Sequence, residues 1–221
     1  MVFVGAVAEV RMLWSLMALI LASMAVPHMA ALLRQVLRKA SPVLIESKNP
    51  SLKEKLRKTM ENTLNTPAVT YLNQQGVVYE VGHFSPNTQK GAANVAEVFG
   101  FRPRQMVKTL IFESPQEACL IMVGGDQNAI SGLLKKVIGS RNISMCSPEK
   151  VKLITGYEIG SIPPFHWQPN GFRSFIDKSL MEEKILGVGS GLWGLEIFIT
   201  PENLIFASHA QVVNLTDKEN S

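Results

Sequence analysis

Histidine and cysteine are scarce in this chain, four and two among 221 residues. Cys119 and Cys146 cannot build a disulfide framework, and neither has a Cys or His neighbour at metal-ligand spacing. His28, His83, His166 and His209 are scattered along the chain, which excludes a zinc finger or a zinc-protease helix. There is no Walker loop, so a P-loop nucleotide site is excluded as well. Acidic residues are sparse at the start of the chain. Up to Thr59, Arg11, Arg34, Arg38, Lys39, Lys48, Lys53, Lys55, Arg57 and Lys58 face only Glu9, Glu46 and Glu54. The net charge of +4 therefore comes from this segment, and acids slightly exceed bases in the rest. A broad cationic platform for nucleic acid is excluded from the later part, so any polyanion contact there is local.

A hydrophobic content of 46% with 18% charged residues gives a globular core rather than a disordered chain. The length suits one substantial domain plus an extension. Residues 12–33 carry no formal charge. Their length and composition leave three readings open: a signal peptide, a membrane anchor, or an organelle-targeting sequence. A misassigned start codon is a fourth. The expected organisation is a targeting or anchor-like segment at 1–40, a linker and short helix at 41–65, a domain at 66–215 and a polar tail at 216–221.

Within the domain, residues 68–76 read as a helix closed by Gly76, and 77–81 as a strand. A helix is expected over 90–100, strands over 106–112 and 118–123, and a helix over 128–137. Ser147-Pro148-Glu149 starts a capped helix that ends at Thr155-Gly156. Strands follow at 173–176, 184–188, 195–199 and 212–213. There is no regular βαβ alternation, so the expected class is α+β, a mixed sheet flanked by helices.

Residues 156–166 form the most informative stretch. Gly156, Gly160, Pro163 and Pro164 disfavour helix and strand and predict a stiff loop with main-chain groups at fixed positions, as a ligand held by backbone requires. A plain tight connection between elements is the competing reading. Lys108 lies in an otherwise apolar strand, where a charge is paired, functional, or snorkelling to solvent. Asp177 ends another apolar strand, as a helix cap or as a ligand for an amine. Residues 189–194 match G-x-G-x-x-G, but strand-like residues 195–199 follow where a dinucleotide site needs a helix. A hairpin fits better.

The order of several elements resembles the YbaK/EbsC-like family of aminoacyl-tRNA editing domains, relatives of the editing insertion of bacterial prolyl-tRNA synthetase. The elements are Thr66-Pro67-Ala68, Tyr79 with His83, Val107-Lys108-Thr109-Leu110, the loop 156–165, Asp177, and Gly194 to Leu204. The resemblance covers about 66–213. It implies a barrel-like mixed sheet and a trans-acting deacylase that hydrolyses the ester of mischarged tRNA, tRNA for proline carrying a small amino acid. A non-catalytic tRNA-end or ligand-binding module, membrane-tethered or not, is the alternative. The resemblance makes Lys108 the catalytic residue. It makes Tyr79, His83, Thr109, Gly156, Gly160, Ser161, Pro163, Pro164, His166 and Asp177 the substrate-binding set, with no metal and no cofactor. The implied partners are the aminoacyl-tRNA acceptor end and prolyl-tRNA synthetase. The implied location is the cytoplasm, with an organelle matrix, a stroma or a membrane as alternatives. This chain departs from the family pattern at Ser161, where a second glycine is common, and at His166-Trp167, where glycine usually follows.

Overall fold

A computed structural model describes residues 66–216. The readings for 1–65 and for the tail beyond 216 lie outside the described residues. Among the described residues no helix is long and apolar enough to cross a membrane.

Local side-chain chemistry starts three of the five described α-helices. Thr66, Ser147 and Thr200 use their side-chain oxygens to cap α1 (Pro67–Gln74), α4 (Pro148–Thr155) and α5 (Pro201–Ser208), each with proline in the first turn. Gly100, Gly139 and Gly156 close α2 (Ala92–Phe99), α3 (Ser131–Ile138) and α4 in the left-handed conformation. In α1 the C-cap is Gln75, and Gly76 takes the left-handed turn one residue later.

The strands form two sheets. In one, β1 (Tyr79–His83), β7 (Leu195–Ile199) and β6 (Leu186–Gly189) run antiparallel in the order β1-β7-β6. The other has the order β4-β2-β3-β5-β8, built from β2 (Val107–Glu113), β3 (Ala118–Gly124), β4 (Ser144–Met145), β5 (Arg173–Asp177) and β8 (Gln211–Val213). Strands β2 and β4 are antiparallel to their neighbours, whereas β3-β5 and β5-β8 are parallel. The mixed α+β class holds. The barrel-like core resolves into two sheets that do not close, joined by a parallel bridge between Met106 and Gly187.

Side chains with almost no exposure fill the interior, including Leu120, Ile121, Met122, Ile176, Leu186, Ile197 and Ile199. Burying each such aliphatic side chain contributes about 1.5–3 kcal/mol. Helix α3 covers one face of the five-stranded sheet through Leu134 and Ile138, against Ile121, Val123 and Phe175. Helix α2 joins Val95 and Ala96 to Phe84, Met106 and Phe198. Cys119 and Cys146 are buried, and burial pushes the Cys119 thiol up to about 12, so both act as small core residues rather than nucleophiles.

Candidate active site

The Gly/Pro loop is pinned along its length. Glu158 O accepts from both Ser161 N and Ser161 Oγ, each at 3.3 Å. Gly191 N donates to Ser161 O at 2.8 Å, and Lys90 Nζ donates to Ile159 O at 3.3 Å. Trp167 Nε1 and Gln168 Nε2 hold the carbonyls of Pro163 and Pro164 at 2.6 and 2.8 Å. Residues 161–165 are buried, so the loop is stiff as expected but turned inward, with several carbonyls already engaged. Its floor is Gly189. A Cβ there would stand 2.7 Å from the Ser161 carbonyl and 2.8 Å from Ile162 O, so only glycine lets this main chain settle on β6.

The bridge between the sheets sets what stands beside that floor. Met106 pairs with Gly187 in an isolated parallel bridge, and Lys108 lies two residues beyond Met106 on β2. Met106 Sδ would be 2.3 Å from a Cβ at Gly187, so Met106 lies on the side of β6 that the loop covers. Side-chain alternation puts Lys108 on that side too. Lys108 and the Ser161–Ile162 main chain therefore share one side of the β2–β6 junction. The Lys108 ammonium donates to Gln127 O and, at 3.4 Å, to Asn128 Oδ1. Partial burial lowers its pKa, opposed by the charge of Asp126. It neither snorkels freely nor forms an ion pair.

The other expected residues divide. Gly160 and Ser161 belong to the loop turn, and Pro163 and Pro164 to its buried stretch. His166 has φ 74, a left-handed conformation that favours the glycine of the family pattern. Its Nε2 lies 2.8 Å from the Tyr157 hydroxyl, and burial lowers its pKa. Gly156 serves as the left-handed C-cap of α4. Asp177 has no exposure and accepts from Ser179 N at 3.0 Å, Ser179 Oγ at 2.5 Å and Leu215 N at 2.7 Å. Of its two readings, capping is the one the geometry gives. Tyr79 and His83 alternate to the face of β1 opposite Gly82, away from the loop side. The Tyr79 hydroxyl bonds Asn73 Oδ1 at 2.8 Å, and burial pushes it up to about 12. Thr109 faces the opposite side from Lys108, its Oγ1 buried without a partner.

Glu196 is the residue that sequence reasoning passed over. It pairs with Gly82 on β1 and Gly189 on β6, and its Oε1 is 3.3 Å from where a Cβ at Gly187 would stand. The carboxyl thus lies on the loop side, beside Met106. Burial pushes it up to about 8. A charge inside the apolar run 195–199 was a signal of the kind that singled out Lys108. The G-x-G-x-x-G segment forms the turn between β6 and β7 and leads into a strand, as expected. A shallow hollow of about 410 Å³, lined by Glu113, Ser114, Pro115, Asn142, Ile143 and Ser144, lies at the other end of β2. Among the described residues no group of three or more His, Cys, Asp or Glu side chains is placed to hold a metal ion.

Comparison with known proteins bears on what this arrangement serves. The family model described as "Aminoacyl-tRNA editing domain" matches residues 86–207. A protein of Enterococcus faecalis named "Putative Cys-tRNA(Pro)/Cys-tRNA(Cys) deacylase EbsC" is 23% identical over 156 residues, covering 70% of this chain and 94% of its own length. A proline–tRNA ligase of Maridesulfovibrio salexigens is 32% identical over 99 residues, 44% of this chain and 17% of the ligase. The solved structure titled "Crystal structure of a putative trans-editing enzyme for prolyl tRNA synthetase" superposes with a TM-score of 0.60 at 23% identity. That match covers 78% of this chain and all of the other, and it shows a shared fold. With the family model matching more than half of its length, this chain belongs to the aminoacyl-tRNA editing domain family.

Proposed function

We propose that the chain is a trans-acting deacylase that hydrolyses the ester of mischarged tRNA, with tRNA for proline carrying a small amino acid as the substrate class. What supports this reading is strand alternation: Lys108 follows Met106 by two residues, and Met106 lies on the side of β6 where the pinned Ser161–Ile162 main chain rests. An aminoacyl-tRNA end offers a phosphodiester anion and, a few ångströms away, an ester carbonyl. Lys108 anchors the phosphate or steadies the negative charge that develops on the ester. The loop supports the aminoacyl group through main-chain atoms that do not reorganise during the reaction. No described side chain is an evident general base. The nucleophile is then a water held by the loop and the ribose hydroxyl, or the substrate's own side chain where that is a thiol.

The covered floor over Gly189 limits the space for the amino acid, so selection acts mainly by size. Size rejects larger residues well and separates near-isosteres by only about 10–200-fold. Such an enzyme works where charged tRNA is found, the cytoplasm or an organelle matrix, with prolyl-tRNA synthetase as the source of the errors it clears.

The test is Lys108→Met, which keeps the aliphatic stem, beside Lys108→Ala, on tRNA charged with Ala, Cys, Ser or Thr. Removing one preorganised charge is expected to lower turnover by about 100-fold or more with circular dichroism unchanged. Undiminished hydrolysis by either folded variant overturns the role of Lys108. Absence of hydrolysis of any of the four by the wild-type chain overturns the deacylase reading.

A further inference from the structure

Glu196 has no described hydrogen bond or ion pair and only 8% exposure, yet it lies on the side of the sheet where the proposed substrate end sits. Three glycines surround it. A Cβ at Gly82 would meet Phe198 and Phe99 at 2.5 and 2.6 Å, one at Gly187 would meet Met106, and one at Gly189 would meet the loop main chain. Each missing side chain lets a covering group descend, so the carboxyl lies beside Met106 on the face of the sheet that the aromatic rings and the backbone of 161–162 also cover. Among the described residues no charged group bears on it, and burial accounts for its perturbation. A carboxyl this buried and unpaired keeps its proton, and gives it up where a positive charge comes to lie beside it.

Resting on the deacylase reading, the chemistry of that counter-charge follows. An aminoacyl ester carries one cation near its reacting carbonyl, the α-ammonium group. We infer that Glu196 is a substrate-binding residue that receives the α-ammonium of the aminoacyl group beneath the Ser161–Ile162 main chain. Lys108 and Glu196 then read opposite ends of one ligand, phosphate and amine, with the ester between them. A peptidyl or N-acylated ester has no such cation, so the pair also distinguishes aminoacyl ends from acylated ones.

The experiment compares tRNA charged with Ala, Cys, Ser or Thr against the N-acetylated form of each, using the full chain and Glu196→Gln. The wild type is expected to favour the free amine in kcat/KM by about 10- to 100-fold, the worth of a charge-assisted hydrogen bond in an enclosed site. In Glu196→Gln this ratio falls to about one, through loss on the free-amine substrates while the acetylated ones are unchanged. Gln fills the same volume, so a preference caused by bulk alone survives the substitution and overturns the inference. Equal rates on both forms by the wild type overturn it too. Thermal melting of Glu196→Gln verifies the fold. Paired non-hydrolysable 3′-amide analogues, with free and acetylated amines, separate this inference from the reading it rests on. An amine preference in their binding that needs Glu196 supports the inference even without turnover. Binding of both with no such preference overturns it alone, and binding of neither by the wild type overturns both.

Discussion

Replacing Glu196 with Gln has a consequence for stability that is independent of any substrate. The ordinary carboxyl value of 4.5 is pushed up to about 8 by burial, so the native protein holds this proton over a range where the unfolded chain has released it. The resulting stabilisation is complete below pH 4.5 and is lost as pH rises through about 8. Each pH unit in that window is worth about 1.4 kcal/mol, giving a total on the order of 5 kcal/mol. Glutamine does not titrate. The stability of Glu196→Gln minus that of the wild type should therefore be smallest near pH 4 and rise by that amount toward pH 8.5. Urea unfolding of both proteins at pH 4, 6 and 8.5 measures it. His166, whose pKa burial lowers, gives a slope of opposite sign. It is present in both proteins and cancels in the difference. A difference that stays flat across this range would refute the reasoning, because the carboxyl would then be no less hydrated in the folded state than in the unfolded one.

Gly189→Ala sets a methyl 2.7 Å from the Ser161 carbonyl; the expected result is a loss of about 1–3 kcal/mol in denaturant melts together with collapse of deacylation. Asp177→Ala removes the acceptor of three hydrogen bonds in a site with no exposure and should cost about 3 kcal/mol or more by thermal or urea unfolding. His209 closes α5 at φ 51 and is exposed, so His209→Gly should raise stability by about 0.5–1 kcal/mol, measured as a higher melting temperature.

Much of the fold was legible because its signals are local. Ser147 with Pro148 and Gly156 fixed both ends of α4, and β-branched and aliphatic runs marked β2, β3 and β7 within a residue. Errors arose where long-range bonds decide. Val77 and Val78 were read into β1, but Val77 N bonds back to Leu72 O at 3.0 Å, and pairing with β7 begins at Tyr79. Helix α3 starts at Ser131 rather than near Asn128, because Gln127 bonds Ser179 and Thr216 and Ile130 N bonds Leu215 O. Helix α5 went unread despite its Thr200-Pro201 start, and β4 is too short to leave a pattern.

The site was legible as an ingredient list and opaque as an arrangement. Lys108 and the loop stood out by composition, but their common side depends on the Met106–Gly187 bridge, which joins residues far apart in sequence. Strand alternation removes Thr109 and Tyr79 from that side, although their positions along the chain suggested membership.

The contact between Gly189 and residues 161–162 is made by carbonyl atoms that every amino acid possesses. What rests on β6 is thus indifferent to the identity of the residues above it. Descendants of this sequence are free to re-tailor the upper walls for a different guest while the base plate keeps its height, provided position 189 stays bare.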